Sequence, residues 1–378
     1  MSYDVIVLGA GGMGSATAYQ LARRGARVLL LERYGIPHEQ GSSHGFTRII
    51  RLAYFEHPSY VPLLRRAYDL WEELERESHE SLLHITGSID AGAADSRTVT
   101  GSLHSCQVHD LPHEVLTSAE LSRRFPGYGL PDELVAVWQP RGGFLVPEAC
   151  ITTHVARAAH HGAEVRAHEQ VLDWEATGSG VVVTTDRGRY EAGRLVVAAG
   201  SWTGALVPAL QRWLVPERQV LAWFDLADRD LFAPSHFPVF NLDFGGEHWY
   251  GFPEFGVPGF KIGCYHHLRE AVDPDTVDRA AVTPRDVELL HSVVRDCFPA
   301  VGDEVLLTKT CLFTNTPDEH FILDRLPDTP QVVIAHACSG HGFKFSSVIG
   351  EIAADLALDG DTRHDIALHR LGRFAAAR

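Results

Sequence analysis

Paired cysteines are missing from this chain. Its six cysteines (Cys106, Cys150, Cys264, Cys297, Cys311 and Cys338) are scattered through 378 residues without CxxC spacing, which argues against a disulfide framework and for a reducing compartment. No run of about eighteen apolar residues occurs, so no membrane-spanning helix is expected. Positive charge is scarce too. With 33 Lys and Arg against 49 Asp and Glu, the formal charge is −16, which disfavours nucleic acid or an anionic membrane as partner. A local basic pocket for a small anion remains compatible with that balance. Internal repeats and low-complexity segments are absent as well. The first residues, MSYDVIVLGAGG, carry neither a charged n-region nor a small-residue cleavage site, and the expectation is a cytoplasmic protein.

What is present begins at once. YDVIVLGAGGMGSATAYQLARRGARVLLLER reads as a buried strand over Val5–Leu8, a glycine-rich turn, a helix ended by Gly25, and a second buried strand over Val28–Leu31 closed by Glu32. Gly9, Gly11, Gly12 and Gly14, with Met13 among them, suit a tight turn, close approach to a pyrophosphate and close helix–strand packing. Free amides at the helix start favour phosphates, and Glu32 is placed for ribose hydroxyls. This end binds a dinucleotide; a long mixed remainder leans towards FAD over NAD.

The length exceeds what one hydrophobic core usually serves, so two domains are expected. Helical spacing is read over residues 57–78, in TSAELSRRFPGY, in the first part of 144–166 and in TPRDVELLHSVVRDCF. Residues 216–310 are aromatic-rich with several apparent strands, and the C-terminal stretch returns to strand, glycine-rich turn and helix. The fold class expected is α/β plus α+β, a Rossmann-like FAD-binding domain with an inserted antiparallel-sheet substrate domain. The cofactor domain is assigned to 1–85, 145–215 and 320–378, and the substrate domain to 86–144 and 216–319.

The segments GAGGMGS, GSSHGFTRIIRLAY, YGFPEFG, GFKIG, VDPDT, KTCLFTNTPDEHFILD and SGHGFKFSSVIGE resemble, in order along nearly the whole chain, the monomeric sarcosine oxidase family of D-amino-acid-oxidase-like FAD enzymes. That resemblance implies an FAD-dependent oxidase of secondary amino acids such as sarcosine. A neutral amine would lose a hydride equivalent to flavin, the imine would hydrolyse, and oxygen would become hydrogen peroxide.

It also implies roles for residues. Cys311 would carry the flavin through an 8α thioether, a bond that needs a thiolate, which basic surroundings would favour; read without the motif, Cys311 is a buried inert cysteine. Arg51 and Lys344 would clamp the substrate carboxylate, as directional charge-assisted bonds require. His44 and Arg48 would lie near the flavin, Lys261 would activate oxygen, and Tyr250 would be an active-site tyrosine. His266 would be the active-site histidine if one residue near Cys264 is inserted, with His267 the alternative. Arg33, Ser42, Thr47, Gly200, Gly340, Gly342, Phe343 and Lys344 complete the cofactor set. Considered without the resemblance, the arginines are solvated surface charge and Lys261 a snorkelling strand lysine.

Three departures make the region more apolar. Phe313 stands where the family has tyrosine, Phe46 where it has aspartate and Phe55 where it has glycine. They leave open a bulkier or cyclic amine of the N-methyltryptophan, pipecolate or proline type. A dehydrogenase passing electrons to a carrier is the other alternative. A metal site at His336, Cys338 and His341 is disfavoured because those residues fall inside flavin-family motifs, and no metal is expected. The partners expected are a small amino acid and oxygen, and the expected state is a monomer.

Overall fold

The computed structural model describes residues 2–178 and 180–374. Its first sheet is built on strand Tyr3–Leu8, flanked by Val28–Leu31 on one side and Arg189–Val197 on the other, all parallel. Glu164–Arg166 extends it beyond Val28–Leu31, and Thr329–His336 pairs in parallel with the end of Arg189–Val197. Val5–Leu8 and Val28–Leu31 are essentially solvent-free on both faces, as continuous apolar runs in a parallel sheet require. Helices Gly12–Ala22, Pro147–His160 and Ser346–Leu358 cover one face. They pack closely: a Cβ on Gly350 would stand 2.6 Å from the backbone of Ala16.

The second sheet has eight strands. In spatial order they are Val301–Asn315, Val215–Leu226, Phe260–Cys264, Glu247–Phe252, Val239–Phe244, Ser88–Gly92, Val135–Gln139 and Glu114–Thr117. All neighbours are antiparallel except Val239–Phe244 with Ser88–Gly92. Phe232, Phe237, Phe240, Phe260 and Phe298 form its core with helix Pro284–Cys297. That helix turns Leu290, Val293, Val294 and Cys297 inwards at helical spacing. Thr283 caps its first turn, with Asp286 reciprocating. A small third sheet joins Arg48–Ile50, Gly143–Leu145 and Leu83–Ile85.

Several elements lie outside the sequence expectations, among them strands Glu114–Thr117 and Val135–Gln139. Strand Val171–Ala176 has an irregular, largely exposed pattern that carries no alternation to read. Helix Arg97–His109 buries mainly small and polar residues (Thr98, Ser102, Ser105) beside Val99 and Cys106, so its apolar period is weak. The helix expected from residue 57 begins at Tyr60. No helix among the described residues is long and apolar enough to cross a membrane.

Candidate active site

Gly9 leaves the first strand with φ +92°, a conformation glycine enters without steric cost. A Cβ on Gly9 would lie 2.6 Å from the Ala198 carbonyl oxygen, and one on Gly14 only 1.8 Å from that of Gly9. Both positions are closed by protein. A Cβ on Gly11 would meet nothing nearer than Ser43 Oγ at 4.0 Å, so its bareness leaves room for a ligand. Gly11 offers no side-chain cap to helix Gly12–Ala22. The helix start opens on a cavity of about 300 Å³ lined by Gly9, Gly11, Gly12, Met13, Glu32, Arg33, Ser42 and Gly200 among others. Glu32 accepts from the amides of Ala10 (2.8 Å) and Tyr34 (2.9 Å) and lies 3.5 Å from His38 Nε2. Burial opposes its ionisation, but His38 and the two amides hold the carboxyl below the usual range. Arg33 pairs with Asp275 at 2.5 Å at this cavity.

A second cavity of about 40 Å³ is lined by Arg48, Tyr250, Tyr265, Cys311, Phe313, Gly340, His341, Phe343 and Lys344. Cys311 is buried with Leu221, Trp223 and Phe313. Burial pushes its thiol up, and Arg48 and Lys261 pull the other way without prevailing; the basic surroundings therefore offset burial and do not yield a depressed thiol. Lys261 donates to Gly45 O (2.7 Å), Thr47 O (2.9 Å) and Thr47 Oγ1 (2.8 Å). Burial and then Arg48 push its ammonium well below the lysine range. Arg48 donates to the carbonyls of Thr47 and Ser42, both at 2.8 Å, and Ser42 Oγ donates to Leu312 O, tying this loop to the Cys311 strand. Phe46, with φ +72°, is held in place by Glu148, which accepts from the amides of Gly45 (2.6 Å) and Phe46 (3.1 Å). A Cβ on Gly342 would lie 1.8 Å from Ala337 O, so the tight turn before Phe343 requires glycine.

Lys344 Nζ donates to His341 O at 2.6 Å. Burial, then Arg51, lowers its ammonium to about 7, against the pull of Glu56 and Asp90. His341 Nε2 lies 2.9 Å from Glu319 O. A carbonyl only accepts, so Nε2 carries the proton and Nδ1 accepts from the Tyr54 hydroxyl at 2.5 Å. Arg51 departs from expectation. Its guanidinium donates to both oxygens of Glu56 (2.9 and 2.7 Å) and to Ala53 O, lies 3.7 Å from Asp90, and stacks on Tyr54 and Phe55, each at 4.4 Å. It is 1% exposed and absent from the cavity lining. A guanidinium so deeply buried needs anionic partners, and Glu56 and Asp90 supply them; Lys344 alone of the expected clamp faces the cavity.

The FAD dependent oxidoreductase family matches residues 4–356 of this sequence. The chain belongs to that family. Across 383 aligned residues it is 43% identical to monomeric sarcosine oxidase from Streptomyces avermitilis, covering 100% of this chain and 99% of the relative. It is 36% identical to an N-methyl-L-tryptophan oxidase from Salmonella dublin, covering 99% and 100%. Among solved structures, NikD, described as an unusual amino acid oxidase essential for nikkomycin biosynthesis, superposes with TM-score 0.83 at 30% identity over 97% of this chain and 96% of that one.

The site fits the family's FAD. His44 is 1% exposed and both its ring nitrogens lack a hydrogen-bond partner. Burial, then Arg48 and Lys309, lowers it to about 3, so a neutral imidazole offers one donor and one acceptor that no described protein group takes up. Together with the bare Gly11 and the ionised Glu32, this leaves the polar demands of a dinucleotide flavin to be met.

The expected histidine is elsewhere. His266, with φ +54°, points its Nδ1 at Glu217 (3.1 Å) and its Nε2 at Glu319 (3.1 Å); His267 is buried against Asp286 at 2.9 Å. Neither lines the cavity; Tyr265 does. The signal was strand alternation: Lys261, Gly263 and Tyr265 share one face of Phe260–Cys264 continued by one residue, with the Tyr265 amide donating to His248 O. Asp90 and Glu148 carried no local signal, because each acts on a segment distant in sequence; Glu56 stands only five residues from Arg51, within reach of a local reading. Among the described residues no group of three or more His, Cys, Asp or Glu side chains is arranged to hold a metal ion.

Proposed function

We propose that this FAD-dependent oxidoreductase is an oxidase of small secondary amino acids, with sarcosine the first substrate to test. The observation that carries this reading is the cavity of about 40 Å³, where the Lys344 ammonium meets an aromatic wall beside Cys311. Likeness to monomeric sarcosine oxidase over the whole chain supports it. The narrow cavity favours sarcosine over the aromatic or cyclic amines that Phe313 leaves open.

Gly11, Gly12 and Met13 would hold the pyrophosphate at the helix start, Glu32 the ribose, and Cys311 the flavin through an 8α thioether. When bound, FAD accepts a hydride equivalent from the N-methyl carbon and passes two electrons to oxygen, giving hydrogen peroxide. Lys344 anchors the carboxylate with a charge-assisted bond. The rings of Tyr250, Tyr265 and Phe313 exclude water, which favours the neutral amine over its ammonium form. Arg51 reinforces the positive potential behind Lys344, and Glu56 tempers it. Arg48 would direct positive charge towards the Cys311 side, where it would favour oxygen reduction, and Lys261, whose ammonium burial disfavours, would take up a proton there as negative charge develops. For sarcosine, imine hydrolysis yields glycine and formaldehyde.

The test is peroxide release on adding sarcosine to the purified holoenzyme in air. The expected result is one peroxide per amine consumed. Lys344→Met is expected to raise KM by roughly 10- to 100-fold, the range for losing a hydrogen bond to a charged group. Flavin bleaching without peroxide would assign the chain to carrier-linked dehydrogenases, and no bleaching by any secondary amino acid would sink the proposal.

A further inference from the structure

Tyr265 lines two spaces at once. On one side is the inner cavity with Lys344 and Cys311. On the other is an outer cleft of about 580 Å³ that also takes in Asp243, Glu247, His248 and His266. The Tyr265 ring packs edge-on against Tyr250 at 5.1 Å and meets Phe313 at 5.7 Å. It also stands edge-on to His248 at 4.8 Å on the cleft side. Below it the turn is bare by necessity: Gly340 has φ +79°, and a Cβ there would come within 2.5 Å of the Phe313 ring and 2.8 Å of the Tyr265 ring. The two rings therefore close over Gly340 with no slack.

The wall is also held from behind. His266, next in the chain, is bound between Glu217 on strand Val215–Leu226 and Glu319, and the Glu319 carbonyl accepts from His341, another cavity residue. A ring gripped by Tyr250, Phe313 and His248, on a backbone fixed by His266, has little freedom to swing aside.

We propose that Tyr265 is the specificity-determining wall of the substrate cavity: it divides the inner cavity from the outer cleft and restricts the enzyme to short-chain N-methyl amino acids. This rests on the amine oxidase reading above. Taking away the ring joins the two spaces, and an aromatic side chain can then extend from the cavity into the cleft while its carboxylate stays on Lys344.

The experiment compares wild type, Tyr265→Ala, Tyr265→Leu and Tyr265→Phe as holoenzymes. Two readouts are taken: kcat/KM for sarcosine against N-methyl-L-tryptophan, and the Kd of acetate against indole-3-acetate from the flavin absorbance change. In Tyr265→Ala, or in Tyr265→Leu if the alanine variant fails to retain flavin, both ratios are expected to move towards the aromatic ligand by about a hundredfold, the scale on which a filled pocket discriminates. Tyr265→Phe is expected to keep the wild-type ratios, since the wall acts by volume. Unchanged ratios in a flavin-loaded alanine or leucine variant overturn the proposal, as does a wild type that already prefers indole-3-acetate. If wild type oxidises neither amine, the amine oxidase reading fails while the Kd ratios still decide the role of Tyr265.

Discussion

His266 holds its proton between two carboxylates. Its bonds to Glu217 and Glu319 raise it to about 9 against the opposing effect of burial, and the same bond to His266 lowers Glu319. A folded value above the unfolded one means stability that is fully present below pH ~6.5 and lost as pH rises through about 9. With the carboxylates ionised, the shift from 6.5 to about 9 corresponds to an upper figure of roughly 3 kcal/mol. Urea unfolding of the holoenzyme at pH 6.5, 7.5 and 9 is expected to show this decline in wild type and a flatter profile in His266→Gln. Equal slopes in the two proteins would remove the ion triad from the stability of the fold. At this scale the sequence was read unevenly. Cys311 and Lys344 line the inner cavity, whereas the groups that hold other expected residues come from elsewhere in the chain: Thr47 for Lys261, Asp90 beside Arg51, Glu217 for His266.

The opening strand, turn and helix form the element whose geometry the sequence states most completely. Gly14 lets helix Gly12–Ala22 sit against the Gly9 carbonyl, which a Cβ would approach to 1.8 Å. Neither neighbour is a flexible side-chain end, so relief requires the helix to move. Gly14→Ala is expected to cost about 3 kcal/mol or more, the upper end for overpacking, and to lower the flavin content of the purified protein. Full FAD occupancy with an unchanged urea midpoint would contradict that account. Helix Pro284–Cys297 was equally legible, since Thr283, Pro284 and Asp286 form a local capping signal. Its first turn also serves tertiary structure: Asp286 accepts from Arg218 at 2.8 Å and contacts His267 at 2.9 Å, a role nothing in the adjacent sequence discloses. Tyr265 shows the cost of reading residues before elements. Counting by two along the Lys261 strand places a tyrosine in the cavity; matching histidines by type places none.

Across the whole molecule, the cofactor cavity draws on the first sheet through Glu32 and Gly200, and Cys311 belongs to a strand of the second. A thioether at Cys311 would thus join one cofactor to both sheets. Acid-denatured wild type is expected to keep its yellow flavin on the polypeptide, and Cys311→Ser to release it into the supernatant. The variant is further expected to show a Tm that rises with added FAD, by mass action on a dissociable ligand, while wild type does not respond. Free flavin from a fully loaded wild type would refute the attachment. The charge of −16 belongs to this scale as well, since the half-buried Arg48 keeps a local positive charge inside a negatively charged molecule.

The sequence by itself determined the dinucleotide-binding unit, the acid at the end of its second strand, the capped helices and the membership that its ordered motifs announce. These rest on short-range physics: glycine's backbone freedom, apolar periodicity, caps within three residues. Only the tertiary structure decided that Glu56 and Asp90 occupy Arg51, that Lys261 fastens the 45–47 loop, and that Tyr265, with His266 behind it, walls the cavity. A buried charge takes whichever partner the fold brings within about 3 Å, and across two sheets that partner can lie far along the chain.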